Sequence, residues 1–161
     1  MAILKIIKDS DPTLHKKSRK VDAVTPHIIR LLDDMRDTLH DASGCGLAAV
    51  QVGVLRRIVL VEVEEGKTIE LINPEIIERS DERQQELEGC LSIPNRWGIT
   101  DRPKHVKVRA MNRDGKLFTV EGDDLAARAF CHEIDHLDGI LFTAAAVHML
   151  TDEELEDYRN S

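Results

Sequence analysis

Paired runs of alternating β-branched residues are what most restrict the folds open to this chain. "RRIVLVEVEE" (56–65) and "KTIELINPEII" (67–77) flank Glu65-Gly66, and "HVKVRAMNRDGKLFTVEG" (105–122) turns at Asp114-Gly115. Val106, Val108 and Ala110 alternate with polar neighbours, which predicts one buried face and one wet face. Strands joined by turns this short form antiparallel hairpins.

Helical periodicity brackets these strands. In "TPHIIRLLDDMRDTLHDA" (25–42) Thr25 is placed to cap, and Pro26 suits the first helical position, where its missing N–H costs little. Ile28, Leu32, Met35 and Leu39 recur at helical spacing as one core-facing stripe, and "SGCG" should end the helix. "DDLAARAFCHEIDHL" (123–137) predicts a second helix with Asp123 or Asp124 as cap, and "TDEELEDYR" (151–159) a short acidic third. The polar residues 10–23 predict an extended or looping arm. No repeat or Pro/Gly/Ser linker interrupts the chain, so residues 1–161 read as a single domain. Its expected class is α+β: mostly antiparallel strands around a central helix, with an N-terminal helix and a short C-terminal one.

Composition narrows the function. Three Phe, one Trp and one Tyr leave an aliphatic core to be built from Ile, Leu, Val and Ala. Thirty acidic residues against 22 basic give a net charge of −8, which argues against nucleic-acid binding through a broad basic face. No apolar run approaches the ~20 residues of a membrane span. Three cysteines without a C-x-x-C pair suit a reducing compartment better than a disulfide frame, so the expectation is cytoplasmic.

The second helix carries the chemistry. His132 and His136 lie four residues apart, about one turn, so both imidazoles can face one divalent ion. Glu133 then sits beside that ion, able to take a proton from a water the ion polarises and hand it on, which is the physical sense of H-E-x-x-H. A catalytic centre usually needs a third protein ligand. Downstream, Phe142 stands where a longer metalloprotease pattern has its last histidine, and His148 qualifies only if the chain turns back. Upstream, the thiolate of Cys90 in "ELEGCLSIPN", between a strand region and a Pro94 turn, is a strong ligand for iron or zinc; a buried apolar thiol is the alternative.

Three stretches taken together are similar to a known family. "GCGLAAVQ" (44–51), "EGCLS" (88–92) and "HEIDH" (132–136) resemble, in order and spacing, the signature motifs of the peptide deformylases of bacteria and organelles. The resemblance covers nearly the whole chain. It implies removal of the formyl group from N-formyl-methionyl nascent polypeptides, with Cys90, His132 and His136 as metal ligands and Glu133 as general base and acid. Gln51 and the backbone N–H of Leu91 would then stabilise the developing oxyanion. Cys45, Gly46 and Leu47, beside Gly44, would meet the peptide through main-chain groups. Leu125, Arg128 and Ala129 would line a methionine pocket, with Trp97 walling the same cleft. The implied cofactor is one divalent ion, Fe(II) first, with Ni(II), Co(II) or Zn(II) also suited to the donor set. Val50 and Cys131 depart from the common pattern, and Cys131, on a different helical face from His132, is expected to pack. The acidic tail leaves ribosome contact in doubt. Two other readings use the same residues: a zinc endopeptidase with a downstream third ligand, and a catalytically silent peptide-binding module.

Overall fold

A computed structural model describes residues 2–161. In chain order the elements are α1 (Pro26–Ala42), β1 (Gly46–Ala48), β2 (Ile58–Val61), β3 (Ile69–Arg79), β4 (Arg83–Cys90) and β5 (Ile93–Pro103). They continue with β6 (His105–Met111), β7 (Leu117–Asp123), α2 (Leu125–Leu137), β8 (Ala146–Met149) and α3 (Asp152–Asn160). A five-stranded sheet runs β1-β2-β3-β6-β7 and a three-stranded one β4-β5-β8, with every neighbouring pair antiparallel.

Both expected hairpins are present. Val61 pairs with Ile69, so the first connection spans residues 62–68 with Gly66 at φ 81°. Met111 pairs with Leu117 around Gly115 at φ 78°. These left-handed positions favour glycine, which bears no Cβ to clash. Strand β2 is buried on both faces: Val59 and Val61 join the core shared with α2, while Ile58 and Leu60 join the core shared with α1. The larger sheet is therefore the middle layer between two helices.

Helix α1 begins as its residues dictate. Thr25 Oγ1 accepts from the Ile28 N–H at 3.3 Å, Pro26 opens the first turn, and Ser43 ends it in the left-handed region. Its stripe of Leu32, Met35 and Leu39 is fully buried, and each such side chain stabilises by about 1.5–3 kcal/mol. Helix α2 presses Phe130 and Leu137 against the opposite face of the sheet. Gly139, at φ 75°, follows it, and a Cβ there would lie 2.5 Å from the carbonyl oxygen of His15. Only glycine lets the N-terminal arm close over that end.

The structure refines or corrects several expectations. The arm of residues 10–23 does loop, and within it Pro12–His15 form a 3-10 turn that buries Leu14. Asp124 occupies the cap position of α2 but makes no capping bond, since its backbone turns at φ 53° and its carboxylate pairs with Lys104 at 3.0 Å. The second sheet is the largest difference. Strand β4 reads "RQQELEGC" and β5 contains Pro94, Gly98 and Pro103, so neither bears a β-branched alternation. The reversal expected at Pro94 falls instead at Leu91-Ser92, while Pro94, Asn95 and Arg96 bulge out between the pairs Cys90↔Ile93 and Gly89↔Trp97. Among the described residues no helix is long and apolar enough to cross a membrane.

Candidate metal centre and active-site cleft

Four pieces of chain converge at one end of α2. The β4–β5 hairpin brings Cys90, and α2 brings His132, Glu133 and His136. The edge strand β1 brings Gly46, and the 3-10 turn Ala49–Val52 brings Gln51. One ligand atom from each of Cys90, His132 and His136 lies within 4.8 Å of the others, and Cys90 Sγ is 3.4 Å from His136 Nε2. Bonds of about 2.0–2.3 Å in a tetrahedron separate neighbouring donors by about 3.4–3.8 Å, so one ion can span this set with little movement. Among the described residues no other group of three donors converges this way.

Partners around the donors orient them. Glu88 Oε1 lies 2.6 Å from His132 Nδ1. A carboxylate only accepts, so Nδ1 carries a proton and Nε2 is the ring nitrogen left to face an ion. Burial would raise the Glu88 carboxyl, but hydrogen bonds from His132 and Arg102 bring it down to about 2. Burial disfavours a charged His132, yet Glu133, the Cys90 sulfur and Glu88 outweigh it and draw a proton onto the ring. The same negative potential attracts a dication. His136 is held neutral by burial and by the neighbouring His132, the form a ligand requires.

Glu133 is almost wholly buried. Burial pushes its carboxyl up to about 7, against the opposing pull of His132. Its Oε1 is buried with no partner in the chain, leaving it free for a proton donor in the cleft. Gly46 explains its own place, since a Cβ there would lie 2.5 Å from Glu133 Oε2. Gln51 is also fixed: its Oε1 accepts from the Ala48 N–H at 2.9 Å, and its Nε2 donates to Ser92 Oγ at 3.1 Å and approaches Cys90 Sγ at 3.7 Å. That holds the Gln51 amide nitrogen against Ser92 and Cys90, at the edge of the donor set.

A cleft of about 490 Å³ opens onto these groups. Gly44, Cys45, Gly46, Gln51 and Leu91 line it, with Trp97, Leu125, Arg128, Ala129, His132 and Glu133. Trp97 crosses the strand pair to cover Gly89, where a Cβ would lie 2.6 Å from the ring. Leu47 does not reach the cleft; its side chain is fully buried in the core shared with α1. The Glu62 N–H donates to the Cys45 carbonyl at 2.8 Å, so by antiparallel alternation Cys45 and Leu47 face β2. Gly46 presents its N–H and C=O at the open edge. Cys131 packs in the core, as expected, and Val50 packs there too. His148 is exposed and pairs with Glu154, away from the donors.

Comparison with known proteins follows these motifs. The family described as polypeptide deformylase matches residues 3–151. This chain belongs to the peptide deformylase family. A deformylase of Acetivibrio thermocellus is 51% identical over 161 residues, covering 100% of this chain and 94% of that one. One from Alkaliphilus metalliredigens is 54% identical over 143 residues, covering 89% and 96%. The crystal structure of the Thermotoga maritima deformylase matches with a TM-score of 0.87 at 34% identity, covering 91% of this chain and 99% of that one. A Met-Ala-Ser-bound deformylase structure from Acinetobacter baumannii matches with a TM-score of 0.85 at 31% identity, covering 89% and 99%. The chain is thus a metal-dependent hydrolase that removes the N-formyl group from N-formyl-methionyl nascent peptides.

Reading the sequence left four members of the site without a role: Glu88, Ser92, Arg102 and Asp135. Glu88 had a usable signal, because two residues apart on one strand it shares a face with Cys90. Asp135 and Arg102 had none, since only the pairing of β4 with β5 brings that arginine to the helix.

Proposed function

We propose that residues 1–161 act as one catalytic domain in which Cys90, His132 and His136 hold a single Fe(II). The convergence of one thiolate and two imidazole nitrogens carries this reading. Ni(II), Co(II) and Zn(II) suit the same donors, and the soft sulfur speaks for iron or zinc over harder ions. A divalent ion held there supplies Lewis acidity, polarising a carbonyl and lowering the pKa of water.

The side chains divide the remaining work. Glu133 takes the proton of the attacking water through its unpartnered oxygen and returns it to the departing amine. The Gln51 amide and the Leu91 N–H, at the reversal beside Cys90, donate to the oxygen on which charge develops. The peptide runs as an added strand along the open edge of β1, bonded by Gly46. Leu125, Ala129 and the stem of Arg128 receive the methionine side chain, and Trp97 closes the wall above Gly89. The Met-Ala-Ser peptide held by the Acinetobacter baumannii relative supports a ligand of this kind in the cleft. We place the activity in the cytoplasm, where formylated chains emerge. Helix α3, with no buried residue and five acidic side chains, offers ribosomal RNA no basic surface.

An endopeptidase reading needs a downstream ligand, and His148 is turned away from the centre. A silent binding module leaves the buried, poised Glu133 without a purpose. The deciding test is formate release from formyl-Met-Ala-Ser by anaerobically purified protein loaded with Fe(II), beside Glu133→Gln and Cys90→Ala. Activity should fall by at least ~10²–10⁴-fold in Glu133→Gln with its metal retained. Cys90→Ala should lose both. Undiminished turnover in Glu133→Gln, or none in the loaded parent, would sink the proposal.

A further inference from the structure

Arg102, on β5, is 4% exposed and its guanidinium joins the two elements that carry the donors. Its Nη2 and Nε donate to Glu88 Oε1 and Oε2 at 2.7 and 3.3 Å, and its Nη1 donates to Asp135 Oδ2 at 2.8 Å. Glu88 sits on β4 two residues before Cys90 and holds His132 Nδ1. Asp135 sits on α2 immediately before His136. Thr100 Oγ1 adds a bond to Glu88 Oε2 at 2.7 Å, so every acceptor direction of that carboxylate is occupied.

We propose that Arg102 is a positioning residue for the metal centre: one guanidinium fork sets Glu88 against His132 and clamps Asp135 beside His136, holding β4 and α2 at the separation the ion requires. This rests on Cys90, His132 and His136 being the ligands. Arg102 touches neither the ligand atoms nor the cleft. Its influence passes through the two carboxylates.

The geometry explains why the residue must be arginine. Glu88 and Asp135 lie on different elements, and a planar fork donates to both at once. A lysine ammonium supplies a single charge centre, which can settle on Glu88 and leave Asp135, or the reverse. With Arg102 removed, the buried Glu88 carboxylate loses its guanidinium partner and two of its hydrogen bonds, and is freer to turn away from Nδ1. His132 then loses the constraint that presents Nε2. Partners of this kind typically alter metal affinity 10–100-fold when changed.

The experiment measures Co(II) affinity by chelator competition for the parent chain, Arg102→Lys, Arg102→Gln and Asp135→Asn. Thermal melting of each protein follows, with and without the ion. The expected result is a 10–100-fold weaker affinity in both Arg102 variants and a smaller loss in Asp135→Asn. The extra melting temperature that the ion confers should shrink in the same variants. A residue serving only the fold would lower melting equally with and without the ion and leave affinity unchanged; that outcome overturns the proposal. If Arg102→Gln does not fold, Arg102→Lys and Asp135→Asn decide alone. Parent-like Co(II) binding by Cys90→Ala would overturn the ligand assignment itself, a failure distinct from that of Arg102.

Discussion

Gly46 and Glu133 show how closely single atoms are matched here. A methyl group at position 46 would lie 2.5 Å from Glu133 Oε2 and 2.8 Å from its Cγ and Cδ. Gly46→Ala must displace the carboxylate, and a misplacement of about 1 Å costs about 10²-fold in rate. Steady-state kinetics should show that loss in kcat, out of proportion to any change in thermal midpoint. With Glu133 as the proposed base, its ionisation should set the pH dependence. A base must be ionised, and burial holds this carboxyl at about 7 in the metal-free chain. A bound dication lowers it, so the acid limb of kcat/KM should fall tenfold per pH unit from a midpoint at or below about 7. A midpoint above about 8 would contradict the assignment. Stability carries the opposite sign. The folded pKa exceeds the ordinary 4.5, so the folded chain binds the extra proton between those values. The contribution of this carboxyl to the stability of metal-free protein should therefore fall, by roughly 3 kcal/mol, as pH rises from about 4.5 through 7, and Glu133→Gln should remove that contribution.

Two helix caps of the same chemistry serve elements of very different weight. Thr25 and Thr151 both accept a backbone N–H three residues on, and Thr151 shares a capping box with Glu154. Removing either hydroxyl costs its helix about 0.5–2 kcal/mol. Helix α1 buries six side chains, including Leu32, Met35 and Leu39, so Thr25→Ala should lower the global thermal midpoint. Helix α3 buries none, so Thr151→Ala should raise hydrogen exchange within residues 152–160 and leave that midpoint almost unmoved. Equal shifts in global stability from both variants would show that α3 is bound to the body more firmly than its exposure indicates.

At the scale of the whole molecule, the centre joins parts that sequence keeps far apart. Cys90 belongs to the three-stranded sheet, and the histidines belong to the helix packed on the five-stranded one. A metal held there as proposed would act as a cross-link between those layers. An ion at 100 times its dissociation constant should add about 2.7 kcal/mol of stability, so chelation should lower the melting temperature. Cys90→Ala should abolish the difference between loaded and metal-free protein. Local patterns were readable beforehand because their causes are local: Thr25-Pro26 starts a helix, Asp114-Gly115 turns a hairpin, and His132 and His136 share a helical face whatever surrounds them. The three motifs, compared with a family, supplied the likeness to deformylases and the role of Cys90. A strand region before Cys90 was readable, but β5 and the pairing of β4 with it were not, because polar residues, glycine and prolines form a ladder only when a neighbouring strand accepts their hydrogen bonds. The same long-range pairing buries Leu47 away from the cleft, leaves Asp124 without a capping bond and carries Arg102 between Glu88 and Asp135. Spacing along one helix decides which side chains can face an ion together. Which distant carboxylate, amide and thiolate meet them depends on strand register and layer packing, energies that no single stretch of sequence contains.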